Sequence, residues 1–234
     1  MSDQENIKRY ERKFIVNKFF INSLGDLISF LKINLKEQYK ERRVNSIYYD
    51  THDYKLGKKT IDGLSDRTKI RIRYYGKLKD IIYPRLEIKN KTGLVGEKLI
   101  YEIDNKSLYE KKFSLANLKI NNLNIDYFEL IKNIEPKVII SYTRNYFISS
   151  CNKYRFTLDK EIIFRSFEKN NIENNFSNNS YYRFNKSIIE FKYNISNENT
   201  ASRLTQNLPF RLTSSSKYLT ALKHLGLVIV WKIF

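Results

Sequence analysis

The sequence is poor in the residues that build covalent or metallic staples. Among 234 residues there is one cysteine, Cys151, and two histidines, His52 and His224. A single thiol excludes an intramolecular disulfide, and so few ligands exclude a thiolate–imidazole zinc site. A lone cysteine also fits a reducing compartment. Long apolar runs are missing too. The longest, Leu225 to Val230 with Trp231, Ile233 and Phe234 beyond it, is too short to span a bilayer. Met1-Ser2-Asp3-Gln4-Glu5 is polar and acidic without an apolar core, so no secretory signal is expected. There is no internal repeat, heptad seam or linker of domain-boundary character. A single domain over residues 1–234, soluble and cytoplasmic, is therefore expected, unless a membrane-associated partner protein carries it to a membrane.

Negative charge is the next scarcity. Twenty-five Asp and Glu against 43 Lys and Arg leave a formal charge of +18. Such an excess constrains partners rather than fold: nucleic acid, an anionic membrane or a phosphorylated small molecule. Hydrophobic residues at 41% and aromatics at 15% exclude general disorder and allow a sizeable core. A lysine-rich composition accounts for scattered surface lysines. It does not account for their alternation.

In Lys69-Ile70-Arg71-Ile72-Arg73-Tyr74 cationic and apolar side chains alternate strictly. In a strand, Lys69, Arg71 and Arg73 then line one face and Ile70, Ile72 and Tyr74 the other. Arg9, Glu11 and Lys13 repeat the pattern, as do Arg85, Glu87 and Lys89. Arg155-Phe156-Thr157-Leu158-Asp159 and Ile189-Glu190-Phe191-Lys192-Tyr193 carry it into the C-terminal half.

Strands are expected at 8–16, 44–50, 67–75, 83–91, 97–103, 137–149, 153–159, 161–167 and 181–194. Helices are expected at 22–38, capped by Asn22 or Ser23, at 107–118, 125–133 and 198–207, and at 217–225 behind Thr213-Ser214-Ser215-Ser216. Residues 52–65 read as a loop broken by Gly57 and Gly63, and 168–180 as a polar, Asn-rich loop that is a candidate for disorder. The fold class is mainly β (α+β): a single closed antiparallel barrel, its basic faces inward and helices packed outside. For one strand, the ordinary arrangement of a wet polar face is the better expectation. Five strands with like charges at alternate positions weaken it, because like charges on neighbouring strands repel. A cationic lumen calls for a polyanion, since arginine forks and lysine ammonium groups suit phosphate oxygens.

Eight segments in order make the pattern specific. They are Tyr10-Glu11-Arg12-Lys13-Phe14, Ser46-Ile47-Tyr48-Tyr49-Asp50-Thr51, Lys69 to Tyr74, Leu86-Glu87-Ile88-Lys89, Tyr142-Thr143-Arg144, Arg155 to Asp159, Ile189-Glu190-Phe191-Lys192 and Ser215-Ser216-Lys217-Tyr218. Together, over about residues 8–224, they resemble the vacuolar transporter chaperone (VTC) polyphosphate polymerase domain of the triphosphate tunnel metalloenzyme (CYTH-like) superfamily. The resemblance implies an eight-stranded tunnel that binds ATP and a divalent cation, Mn²⁺ or Mg²⁺, and moves the γ-phosphoryl onto inorganic polyphosphate. It puts Lys13, Arg71, Arg73, Lys89, Arg144, Arg155 and Lys217 on the family's phosphate-binding positions. Arg9, Lys69, Lys98, Lys192 and Ser216 join them as substrate-binding residues. Glu190 matches the metal carboxylate, with Glu11 or Glu87 near it. Glu11 and Glu87 have an equally good role as salt-bridge partners of Lys13 and Lys89. Asp159 is expected to pair with Arg155 or to lie at a turn, and Tyr48, Tyr142 and Tyr146 to pack. His52 and His224 are expected to be incidental. Unlike the family's eukaryotic members, this sequence carries neither their N-terminal regulatory domain nor their transmembrane helices.

A triphosphatase in the same tunnel is the nearest alternative, since charged positions do not decide whether water or phosphate attacks. A non-catalytic polyphosphate-binding or nucleic-acid-binding protein is the other. The charge and the 18 tyrosines and 15 phenylalanines motivate the nucleic-acid form. A closed barrel would hide its basic face, so no nucleic acid is expected.

Overall fold

The computed structural model describes residues 9–17, 31, 33–93, 95–177, 180–206, 208–214 and 216–228, with the side chains of Arg9 and Val95 outside that description. Among the described residues eight strands have eight residues or more: β1 (Arg9–Asn17), β2 (Leu35–Asp50), β3 (Arg67–Tyr75), β4 (Ile82–Thr92), β5 (Val95–Glu102), β6 (Glu135–Ser149), β7 (Tyr154–Ser166) and β9 (Lys186–Asn194). Two short pieces, β8 (Tyr182–Phe184) and β10 (Leu212–Thr213), are added to them. The helices are α1 (Lys55–Ile61), α2 (Asn105–Glu110), α3 (Ile125–Lys132), α4 (Glu198–Gln206) and α5 (Lys217–His224). Hydrogen bonding orders the strands β10-β1-β9-β7-β6-β2-β3-β4-β5, with β8 on β7. The pairings β1–β10, β1–β9, β2–β3, β3–β4, β4–β5 and β7–β9 are antiparallel. Among the described residues no pairing joins β5 to β10. No helix among them is long and apolar enough to cross a membrane.

The chain divides into two compact units. The first holds residues 1–42, 142–162 and 184–215; the second holds 43–141, 163–183 and 216–234. In the second, Ile70, Ile72 and Tyr74 are fully buried while the alternate Lys69, Arg71 and Arg73 are not. Ile47, Leu86 and Ile88 join their core, which Leu108 of α2 and Ile131 of α3 cover. Each such buried side chain contributes roughly 1.5–3 kcal/mol. Phe113 packs there too, and its carbonyl accepts the Tyr49 hydroxyl at 2.9 Å. In the first unit Phe14, Phe156, Leu158, Ile189 and Phe191 form a separate core under Ala201 of α4. Phe156 and Phe191 stack at 4.3 Å. Arg12 binds Glu198, Tyr193 and Thr205 beside it.

Several elements differ from expectation. Strand β2 starts at Leu35, so residues 35–38 are not helical. Their Lys, Glu and Gln favour a helix locally, and sheet pairing overrides that preference. The rest of the expected helix lies outside the described residues apart from Leu31, which is helical, and 33–34. The expected strands 153–159 and 161–167 are one strand, β7, with the break surviving as a positive φ of 51° at Glu161. Strand 181–194 divides instead into β8 and β9. The expected loop 52–65 contains α1. Its N-cap, Tyr54, offers no side-chain bond. The Asp50 carboxylate takes the N–H groups of Leu56 and Gly57 instead, both at 2.8 Å, and so satisfies orphan donors of the first turn. A Cβ at Gly57 would come within 3.2 Å of that carboxylate, so a bare backbone suits the position. In the loop after β7 the buried Asn175 side chain accepts from the Glu168 N–H and donates to its carbonyl, fixing a short helical turn at Glu173–Phe176.

Candidate functional site

In the second unit the register of β2, β3, β4 and β5 stacks the alternating faces into rows. One row runs Lys69–Lys89–Lys98, the next Tyr48–Arg71–Glu87, and the third Ser46–Arg73–Arg85–Glu102. Directly opposed like charges destabilise a sheet, so three lysines in one row constitute a cost that a stable fold alone does not call for. Glu87, buried, is the counter-ion. Its Oε2 accepts from Arg71 Nε at 2.7 Å and lies 3.7 Å from Arg73 Nη1, while its Oε1 meets Lys98 Nζ at 2.7 Å. Burial by itself would raise this carboxyl. Arg71, Arg73 and Lys98 outweigh burial and hold it down to about 2. Lys98 is itself lowered, first by burial and then by the neighbouring arginines, against the pull of Glu87. The two directions agree physically, because one carboxylate is shared among three cations.

The hydroxyl of Tyr48 accepts from Arg71 Nη1 at 2.7 Å. Burial would raise that phenol, yet the charges of Arg71 and Arg73 bring it below its ordinary value. The Tyr48 ring stacks on Tyr218 of α5 at 5.1 Å, and Tyr218 donates to Asp50 at 2.7 Å. Burial and then Asp50 push the Tyr218 phenol up. Asp50 thus ties β2, α1 and α5 together. Ser216 is the N-cap of α5, but its side chain does not cap the helix; it accepts from Lys69 Nζ at 3.0 Å. Lys217 follows at the first helical position. Tyr48, Lys69, Arg71, Glu87 and Lys89 line a small pocket.

In the first unit β1, β9 and β7 set Lys13 opposite Glu190 and Glu190 opposite Thr157, then Glu11 opposite Lys192 and Lys192 opposite Arg155. Arg144 of β6 is buried and grips Asp159, with Nη2 to Oδ2 at 2.7 Å, and reaches Glu190 at 3.3 Å. Burial would lower that guanidinium, but Asp159 and Glu190 hold it well above its ordinary value. Lys192 Nζ stands 3.5 Å from Glu190 and 3.8 Å from Glu11, and Lys13 is 3.6 Å from Glu11.

The structure therefore gathers Lys69, Arg71, Arg73, Glu87, Lys89, Lys98, Ser216 and Lys217 in one unit, and Glu11, Lys13, Arg144, Arg155, Glu190 and Lys192 in the other. The side chain of Arg9 and all of Ser215 lie outside the described residues; the Arg9 backbone pairs with Asn194. Asp159 pairs with Arg144 rather than Arg155 or a turn, and the cations described on Glu87 are Arg71, Arg73 and Lys98. The Asp50–Tyr218–Tyr48 tie was not foreseen as part of the site. Its one sequence signal is that Ser46, Tyr48 and Asp50 share a strand face. Tyr142 is buried, beneath the Arg144 guanidinium, and Tyr146 meets Tyr39 edge-on. His52 is almost fully exposed, and His224 stacks on Tyr182 at 4.5 Å.

A face of arginines and lysines with one deeply ionised carboxylate can bind a multiply charged oxyanion and neutralise charge that develops on it. Among the described residues no group of three or more His, Cys, Asp or Glu is arranged to hold a metal ion. Among curated proteins none matches this chain. Among solved structures, a candidate adenylate cyclase from Bacillus halodurans superposes with a TM-score of 0.56 at 16% identity, over 90% of this chain and 96% of that one. A Hippeastrum protein described as a candidate adenylyl cyclase with a dominant triphosphatase activity gives 0.51 at 14%, over 94% and 98%. The likeness establishes a shared fold. The VTC domain family matches residues 8–225, a span that takes in every row of charges described above, and the chain belongs to that family.

Proposed function

We propose that this protein is a metal-dependent polyphosphate polymerase that transfers the γ-phosphoryl of ATP to a growing inorganic polyphosphate chain. The observation that carries this is the Lys69–Lys89–Lys98 row, whose mutual repulsion a linked phosphate would relieve. Closure of the eight long strands into a tunnel with a basic lumen, as one domain, belongs to the same proposal and is supported by the family. So are the roles of single residues. Arg71 and Arg73 hold phosphate oxygens by their forks, and Lys69, Lys89, Lys98 and Lys217 act as point charges. Lys13, Arg144, Arg155 and Lys192 bind phosphate too, with Arg9 and Ser216 in support. Phosphoryl transfer asks the protein mainly for alignment and charge neutralisation, which such a set supplies.

The residues present fit a divalent cation that arrives with its substrate. Mg²⁺ and Mn²⁺ are commonly bound by one or two carboxylates plus phosphate oxygens rather than by an all-protein cage. Glu190 and Glu11, linked through Lys192, offer such a pair. When bound, the ion would neutralise phosphate charge. Glu87, held by Arg71 and Lys98 at 2.6–2.7 Å, is better suited to fixing those cations than to ligating metal. Its two contacts at that range use both oxygens.

A triphosphatase is the second reading, favoured by the activity described for the Hippeastrum protein. The two part on the attacking group. Incubated with ATP and Mn²⁺, the purified chain is expected to yield ADP and chains longer than triphosphate; orthophosphate as the sole phosphate product assigns the triphosphatase. Nucleic acid is no part of the proposal. A cytoplasmic location is, supported by the single thiol.

A further inference from the structure

Arg165 of β7 is 95% buried, at 5% relative exposure, and its Nε and Nη1 have no hydrogen-bond partner among the described residues. Its guanidinium lies 5.2 Å from the ring centroid of Tyr181, and that of Arg183 lies 5.9 Å from the same ring. The ring therefore meets two cations. A buried guanidinium is ordinarily matched to a carboxylate, because an unmatched one is costly. Here the groups acting on Arg165 are Arg43, Tyr181 and Tyr74, and no carboxylate is among them. Burial lowers this guanidinium's affinity for its proton, and the charge of Arg43 lowers it further. Tyr74 alternates with Arg71 and Arg73 along β3, so this cluster belongs to the face opposite the lysine rows.

We propose that Arg165 and Arg183, which share the ring of Tyr181, form with Arg43 a second oxyanion site for a phosphate-type dianion. The in-plane donors of Arg165 bind its oxygens, Tyr181 supports the guanidinium, and the exposed Arg183 closes over the anion from solvent. The same chemistry recognises free pyrophosphate and the end of a polyphosphate chain.

Equilibrium dialysis of the full chain against labelled pyrophosphate tests this. Two pyrophosphates per chain are expected at saturation. Arg165→Met, which keeps the apolar stem, should leave one, while Lys69→Gln/Lys89→Gln should remove the other. Arg183→Ala should weaken the second site by about tenfold or more, the loss expected for charge-assisted hydrogen bonds. Because Arg183 is exposed, that variant decides the matter if Arg165→Met does not fold. Unchanged stoichiometry and affinities in Arg183→Ala, or a single pyrophosphate that Lys69→Gln/Lys89→Gln abolishes, would overturn the site. Polyphosphate that displaces pyrophosphate from the Lys69→Gln/Lys89→Gln protein identifies a chain end as a ligand; failure to displace it identifies the free anion. Either result supports the site. Loss of this site leaves the polymerase proposal standing, since ATP turnover does not depend on it.

Discussion

The β3–β4–β5 cluster and the β1–β7–β9 cluster use the same alternation to different ends. In the first, Lys69, Arg71, Arg73, Lys89 and Lys98 share a face with the buried carboxylate of Glu87, which holds two of them at 2.6–2.7 Å. In the second, Lys13, Arg144, Arg155 and Lys192 stand among Glu11, Asp159 and Glu190. Asp159 takes Arg144 by two bonds, and Glu190 reaches it as well at 3.3 Å. The difference bears on the proposed roles: an excess of cations suits an oxyanion, and a cluster richer in carboxylates suits a metal ion.

The contrast is sharpest at the two glutamates. Glu190→Gln should lower metal-dependent turnover by about a hundredfold to a thousandfold, the scale for losing one group that stabilises transferring charge, with the fold intact. Undiminished activity at saturating Mn²⁺ would remove Glu190 from the metal site. Glu87 should declare itself in stability instead. Its carboxyl is depressed from 4.5 to about 2 in the folded chain. The stability it contributes is therefore complete above pH 4.5 and is lost as the pH falls from 4.5 towards 2, by about 3 kcal/mol. Urea titrations across that range should show the loss in the native sequence and a shallower one in Glu87→Gln. Equal slopes would break the comparison.

Smaller effects follow from the cations. Arg71→Ala or Arg73→Ala should weaken ATP binding by about 2 kcal/mol each, roughly thirtyfold. Unchanged affinity in both would put β3 outside the site. Ser216→Ala removes the partner of Lys69 and should cost about 1 kcal/mol of binding. A loss as large as that of Arg71→Ala would mean that Ser216 touches phosphate itself.

Much of this was legible in the sequence where one strand sufficed. Strand β3 was placed at Arg67–Tyr75 by alternation alone, and the opposed fates of Ile70 and Arg71 followed from it. Facts that depend on two strands were not. Glu87 was matched to Lys89 as its neighbour on one strand, whereas register brings Arg71 across from it. Asp159 was matched to Arg155 for the same reason, while its partner Arg144 comes from β6. Helix α1 was missed because its first turn is capped by Asp50 at the end of β2, a contact that no local pattern encodes. Arg43, Arg165 and Arg183 come from three different strands, and none alternates into view.

The central claim is that opposed lysines are kept, at a cost to the sheet, for linked phosphates. Lys69→Gln/Lys89→Gln tests it most directly, with thermal stability and tripolyphosphate affinity measured on the same protein. The account predicts a higher melting temperature together with a loss of affinity of about a hundredfold or more. Unchanged tripolyphosphate binding, whatever the melting temperature does, would contradict it.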